Sequence, residues 1–76
     1  MAIEIAPGIV VDNNIRFGKP VIRGTRIPVS LVLAKLAAGM SSQDLAAEYD
    51  LSYLDVQAPL QYAANLVAGE SILVTA

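Results

Sequence analysis

The sequence predicts a mainly α-helical fold in which three short helices follow a short N-terminal β segment. Before residue 28, short β-branched runs alternate with Gly, Pro, Asn and Asp, which is typical of short strands joined by turns. After residue 28, apolar residues recur every three or four positions between helix-capping residues, which is typical of amphipathic helices. A chain of 76 residues is long enough for one domain only. We assign residues 1–27 to the β and turn segment, 28–68 to the helices and 69–76 to a C-terminal tail or strand.

The β segment consists of short apolar runs separated by turn residues. Four runs read as strands: residues 3–5, 9–11, 21–23 and 25–27. Gly24 separates the last two, so we expect a tight turn or bulge there that fastens the segment to the first helix. Fewer than three strands without a helical cover are not stable alone. We therefore expect an exposed edge strand that can pair with a second chain.

Each predicted helix has a recognisable beginning. Pro28 suits the first turn of a helix, and Gly39 is a natural stop for the helix that follows it. Ser41 and Ser52 are each followed three residues later by Asp, a spacing that resembles a capping box. These signals predict helices that begin near residues 29, 42 and 53.

The second and third helices are separated by only a few residues, roughly 49–52, and this spacing is typical of a helix-turn-helix. Three-helix packing is also common in proteins that do not bind DNA, so the pattern leaves a purely structural alternative open. Pro59 lies inside the third helix, where it removes a backbone donor and clashes with the preceding turn. We expect a kink or an early break at Pro59, and an end near Gly69.

The composition predicts a protein that associates with a second copy of itself or with another protein. Apolar residues make up 55% of the chain and charged residues only 16%, against usual values of about 45–50% and about 25%. A domain this small buries only about 60% of its unfolded surface. Apolar surface must therefore remain outside, and exposed apolar patches mark interfaces. We expect a homodimer or a complex with another protein.

Most catalytic chemistry is excluded by what the sequence lacks. There is no Cys and no His, so a thiolate nucleophile, the usual general base and the commonest metal ligand are missing. We predict a protein that is not an enzyme, with no metal, no cofactor and no small-molecule substrate. Neither a signal peptide nor a membrane-spanning run is visible, so we expect a cytoplasmic protein without a membrane partner.

Positive charge is concentrated in one segment of an otherwise acidic chain. The formal net charge is −2, yet residues 12–26 contain four basic residues and one acid. The basic residues are Arg16, Lys19, Arg23 and Arg26. Such a cluster can hold phosphates. The alternative is that Arg23 or Arg26 pairs with Glu48 or Asp50 of the helical half.

Residues 18–29, with the sequence GKPVIRGTRIPV, closely resemble the signature of the domain-of-unknown-function 433 family. The resemblance extends over roughly residues 9–66. It implies a homeodomain-like helix-turn-helix, preceded by a β segment and usually dimeric. Family members are regarded as antitoxins of type II toxin–antitoxin pairs, which mask a toxin with a PIN-like ribonuclease fold and repress their own operon. The sequence departs from the family pattern at Asp50, where many members have Pro, and at Pro59.

The helix-turn-helix pattern identifies candidate contacts with operator DNA. In such proteins the N-terminal residues of the third helix enter the major groove. The corresponding residues here are Ser52, Tyr53, Gln57 and Gln61. Because this helix lacks Lys and Arg, the phosphate contacts must come from Arg16, Lys19, Arg23 and Arg26. The alternative is that Asp55 only caps the helix and the glutamines are solvated.

The C-terminal tail offers a candidate surface for the toxin. Ile72, Leu73 and Val74 form an apolar run that can dock in a groove or add a strand to a partner's sheet. They can equally pair with residues 3–5 of the same or another subunit.

Taken with the resemblance, the sequence predicts an antitoxin-like binding protein that neutralises a toxin and binds operator DNA. A stand-alone DNA-binding regulator and an assembly module that binds only protein are the alternatives.

Overall fold

The computed structural model describes the backbone of residues 1–75 and the side chains of residues 1–69. A short N-terminal β segment precedes three α-helices, as predicted, and this segment folds as a three-stranded antiparallel sheet. The elements are β1 (Ile3–Ala6), β2 (Ile9–Val11), a short turn of 3₁₀ type (Arg16–Gly18), β3 (Val21–Ile22), α1 (Val29–Ala37), α2 (Ser42–Tyr49) and α3 (Tyr53–Thr75).

The strands lie in the order β1-β2-β3, so β2 is central and β1 has a free edge. Glu4 lies opposite Val10, and Ile9 lies opposite Ile22. The pairing of β1 shifts between Glu4 and Ala6, which marks an irregularity before the β1–β2 turn. One chain therefore supplies the three strands that a small sheet requires, and helices cover it.

The fourth predicted run, residues 25–27, is a turn and not a strand. The Thr25 hydroxyl donates to the Ile22 carbonyl at 2.8 Å and accepts from the Ile27 amide at 3.0 Å. The Ile22 amide in turn donates to the Ile27 carbonyl at 3.0 Å. These local bonds satisfy the backbone within the segment, which confirms the predicted turn at Gly24 and joins β3 to α1.

The helix caps predicted from the sequence are confirmed. The Asp44 amide donates to Ser41 Oγ at 3.0 Å at the start of α2. At the start of α3, the Asp55 amide donates to Ser52 Oγ at 3.1 Å, and the Ser52 amide donates to Asp55 Oδ2 at 3.0 Å. This second pair is a complete reciprocal capping box. α1 ends before Gly39, whose φ is +105°.

The expected break in the third helix is wrong, because α3 continues through Pro59 to Thr75. The ring of Pro59 is fully buried, and this packing offsets the hydrogen bond that proline cannot make. The helix also continues past Gly69, where an end and then a tail or strand were expected. Gly69 keeps a helical backbone without a positive φ, so it does not act as a stop. The side chains of Ile72, Leu73 and Val74 lie outside the described residues.

The core joins one residue of β3 to one residue of each of the three helices. Ile22 of β3, Val32 of α1, Leu45 of α2 and Val56 of α3 form one buried cluster. Beyond it, α3 extends away from the core, and all of residues 64–69 are exposed. Within the described part of the chain, no helix combines the length and apolar character needed to cross a bilayer.

Candidate binding surfaces

The loop before β3 contains a left-handed turn. Arg16, Phe17 and Gly18 all have positive φ, at 51°, 57° and 81°. The turn is closed by the Gly18 amide, which donates to the Ile15 carbonyl at 3.1 Å, and by the Lys19 amide, which donates to the Arg16 carbonyl at 3.1 Å. Phe17 projects from it and is 97% exposed. Large side chains are uncommon in this backbone region, so the turn holds Phe17 in an unfavourable conformation.

A cationic hollow of about 400 Å³ lies beside this turn. Its lining residues are Asn13, Asn14, Arg16, Phe17 and Arg26. Arg16 Nε donates to the Arg26 carbonyl at 3.1 Å, which holds the Arg16 side chain against the backbone of Arg26. The lining contains two guanidinium groups and no carboxylate, so the hollow favours an anion.

A second surface, the α3 groove, also has a volume of about 400 Å³. Its lining is formed by the β1–β2 turn on one side and α3 on the other, with Arg23 between them: Ala6, Pro7, Gly8, Arg23, Leu54, Asp55, Gln57, Ala58, Gln61, Tyr62 and Asn65. Within α3, Leu54, Ala58 and Gln61 recur at spacings of four and three, which places them on one helix face. This face mixes apolar and amide side chains.

The alternative in which Arg23 or Arg26 pairs with Glu48 or Asp50 is not seen among the described side chains. Arg23 Nη1 instead lies 3.3 Å from Glu4 Oε1. The strand pairing is the reason, because the Arg23 amide donates to the Gly8 carbonyl at 2.9 Å and so holds Arg23 beside β1. Glu4 Oε2 accepts from the Gly8 amide at 3.0 Å. One carboxylate thus fixes both the turn and the arginine of the α3 groove.

The β1–β2 turn lies directly against α3 at Gly8. A Cβ atom built on Gly8 would be 3.0 Å from the Cβ of Ala58, and the φ of Gly8 is +77°. Both the contact and the backbone conformation therefore require glycine here. This close approach sets the width of the α3 groove.

The eight predicted DNA-contact residues fall into separate places. Arg16 and Arg26 line the cationic hollow, whereas Arg23, Gln57 and Gln61 line the α3 groove. These two surfaces share no lining residue. The remaining three have other positions: Ser52 caps α3, Tyr53 is 71% exposed beside another hollow between α2 and α3, and Lys19 is exposed after the left-handed turn.

The α3 glutamines differ in how they are held. Gln61 Nε2 donates to Asn65 Oδ1 at 3.0 Å, a bond between neighbouring turns of the helix. Gln57 is half-buried in the α3 groove. Both amides face the side of α3 where Arg23 lies, so the groove is the place where predicted base-reading and phosphate-binding residues meet.

Phe17 was missed by sequence reasoning. The only signal was an aromatic residue between Arg16 and Gly18 in a basic segment, and no spacing rule indicates the left-handed backbone. Leu54 and Asn65 of the α3 groove were also missed. Their three- and four-residue spacing with Gln57 and Gln61 would have placed them on the same face.

Residues 9–63 match the profile of the family described as "Protein of unknown function (DUF433)", and this chain belongs to that family. The matched segment contains β2, β3, α1, α2 and the first half of α3, and it includes every residue that lines the cationic hollow. Comparisons with curated proteins and with solved structures give no match.

Proposed function

We propose that this protein is an antitoxin-like, non-enzymatic component of a type II toxin–antitoxin pair. It neutralises a toxin with a PIN-like ribonuclease fold by binding it directly, and it binds operator DNA to repress its own operon. The class of toxin comes from the family resemblance of the GKPVIRGTRIPV segment. The binding roles are supported by the surfaces of the domain.

The observation that carries the proposal is the presence of two chemically different surfaces on one small domain. The cationic hollow has arginines without carboxylates in its lining. The α3 groove has mainly leucine, alanine, proline, tyrosine and amide side chains, with one arginine and one carboxylate. An antitoxin that masks a toxin and represses an operon needs one surface for protein and another for nucleic acid.

The α3 groove suits a protein partner. The whole of α3 contains no Lys or Arg, and Asp55 lies at its first turn, so the helix repels phosphates. Leu54 is 74% exposed at the groove. An exposed apolar side chain surrounded by polar groups is typical of the centre of a protein interface. The toxin therefore contacts this groove, and the exposed residues 64–69 of α3 extend the available surface.

The apolar side chains outside the groove favour a homodimer. Ile3 and Ile5 are 57% and 44% exposed on β1, whose outer edge has no neighbour within the described sheet. Such an edge pairs readily with a second strand. Pairing of two β1 strands would double the cationic surface that is available to DNA.

A stand-alone DNA-binding regulator is a second candidate. It is favoured by the meeting of Arg23 with Gln57 and Gln61 in the α3 groove, because Gln can read adenine with two hydrogen bonds while Arg holds a phosphate. The acidic first turn of α3 opposes it. An assembly module that binds only protein is favoured by that same acidic helix, and it leaves the cationic hollow without a role.

The proposal is tested by expressing the product of the adjacent reading frame alone and together with this chain. We expect growth arrest with the neighbour alone, and rescue together with co-purification when both are present. Leu54→Glu should abolish rescue, because it places a charge in the α3 groove at an exposed helix position. Ala34→Glu adds the same charge at an exposed site on α1 outside the groove, and it should rescue like the wild type. A harmless neighbour that does not co-purify contradicts the proposal.

A further inference from the structure

Phe17 is not explained by folding. Its ring is 97% exposed, so it buries almost no surface in the domain. Its backbone has a φ of 57°, directly after Arg16 at 51°, a conformation that Gly or Asn adopts at lower cost. A large apolar side chain that is both solvated and conformationally unfavourable is typical of a residue kept for binding.

The surroundings of Phe17 are cationic and polar. Arg16 and Arg26 line the same hollow, together with the amides of Asn13 and Asn14. The nearest acid along the chain is Asp12, whose Oδ1 accepts from the Asn14 amide at 2.9 Å and lies 3.5 Å from the N-terminal ammonium group. Asp12 is therefore engaged in contacts within the domain and does not line the hollow, whose charged lining residues, Arg16 and Arg26, are both positive.

We propose that Phe17 is a wedge that inserts between base pairs of duplex DNA while Arg16 and Arg26 hold the adjoining phosphates. An apolar side chain that projects from a basic surface can part stacked bases and kink the duplex. This inference rests on the DNA-binding part of the proposed function and specifies the residue that deforms the DNA.

The lining of the hollow favours DNA over a protein as the partner. A protein that received the Phe17 ring in an apolar pocket would need apolar neighbours around it to complete a desolvated interface. Among the residues that line the hollow, Phe17 is the only apolar one. A nucleic acid instead offers apolar base faces between anionic phosphates, which matches a lining that combines one aromatic ring with two arginines.

The probes are a mixed-sequence duplex with central TA steps, which kink easily, and the single strand of the same sequence. Binding is followed by fluorescence anisotropy, and bending by energy transfer between labels at the two ends of the duplex. Phe17→Asn and Phe17→Gly both remove the ring and suit a positive φ, so we expect their melting temperatures to equal or exceed that of the wild type. We expect each to bind the duplex about tenfold more weakly, as for the loss of one base-stacking contact, and to abolish the bend.

Two further variants distinguish the effect of the apolar side chain at residue 17 from the effect of positive charge. Phe17→Leu keeps an apolar wedge and should retain the bend. Arg26→Gln should keep the bend and lower the slope of log affinity against log salt by about one phosphate contact.

The possible failures are distinguishable. If the wild type binds and bends the duplex and the Phe17 variants do so equally, the wedge is wrong and the DNA-binding role stands. If the wild type binds no duplex at low salt, both are wrong. If the ring contributes only to binding of the single strand, Phe17 is a stacking platform and the duplex wedge is overturned.

Discussion

The hydroxyl of Thr25 joins the β segment to the helices. It donates to the Ile22 carbonyl and accepts from the Ile27 amide, and it is partly buried. A valine of nearly the same shape would leave the Ile27 amide without this acceptor.

We expect Thr25→Val to lower the free energy of unfolding by about 1 kcal/mol, since the partly buried Ile27 amide loses its acceptor. Urea denaturation followed by circular dichroism measures the change. Thr25→Ser keeps the hydroxyl and serves as the control, with a smaller loss. A loss in Thr25→Ser with no loss in Thr25→Val would show that the methyl group and not the hydroxyl stabilises the turn.

Asp50 carries an unfavourable backbone conformation at the end of α2. Its φ is 55° and its ψ is 47°, and its amide donates to the Ala46 carbonyl. We expected proline here in many family members. Proline cannot adopt this positive φ, and it has no amide hydrogen to donate to the Ala46 carbonyl. α2 therefore ends in a left-handed cap at Asp50, and a proline at this position would require a different helix ending.

Asp50→Gly should raise the free energy of unfolding by about 1 kcal/mol. Glycine adopts a positive φ without steric cost, and the substitution removes an unfavourable negative charge from the C-terminus of α2. Asp50→Pro should lower it by about 3 kcal/mol or more. Thermal melts of both variants beside the wild type measure the two changes. A stabilising proline would contradict the left-handed cap.

Among the contacts between elements, the β1–β2 turn lies directly against α3 at Gly8. Gly8 and Gly24 have nearly the same φ, +77° and +79°, but only Gly8 lies near another chain segment. A Cβ atom on Gly8 would meet Ala58 at 3.0 Å, whereas one on Gly24 would meet no atom within 4 Å.

This difference makes the two alanine variants a matched pair. Gly24→Ala should cost about 1–2 kcal/mol of stability from the backbone conformation alone. Gly8→Ala should cost clearly more, because α3 must also move, and chemical denaturation measures both. Equal costs would mean that the turn does not press against α3.

Local sequence signals predicted the secondary-structure elements better than they predicted the contacts between those elements. The caps at Ser41 and Ser52 and the stop at Gly39 depend on bonds within a few residues, so spacing alone predicts them. The length of α3 depends on burial of the Pro59 ring, and this burial is a tertiary contact that the local sequence does not indicate. The pairing of Arg23 with Glu4 likewise depends on the register of three strands.

The candidate site was only partly predictable for the same reason. The residue types at Arg16, Arg26, Gln57 and Gln61 indicated polar contacts, but their division between two surfaces follows from the tertiary fold. The exposure of Phe17 follows from a left-handed turn that no apolar period or cap indicates.

At the scale of the whole molecule, exposed apolar side chains on β1 predict self-association. We expect the wild type to sediment at twice the monomer mass, and Ile3→Lys/Ile5→Lys to sediment as a monomer, because paired like charges oppose edge-to-edge strand pairing. Ala34→Lys adds a charge on α1 and should remain dimeric. Analytical ultracentrifugation distinguishes these results, and a dimer that survives both lysines would exclude the β1 edge.

We propose that one small domain binds a protein through the α3 groove and DNA through the cationic hollow. The most direct test measures the affinities of purified wild type, Leu54→Glu and Arg26→Gln for two ligands, the product of the adjacent reading frame and the duplex. We predict that Leu54→Glu weakens partner binding by more than about tenfold, as for a residue at the centre of an interface, and leaves DNA binding unchanged. Arg26→Gln should weaken only DNA binding. Loss of both affinities in either variant, or of neither, would contradict two separate surfaces.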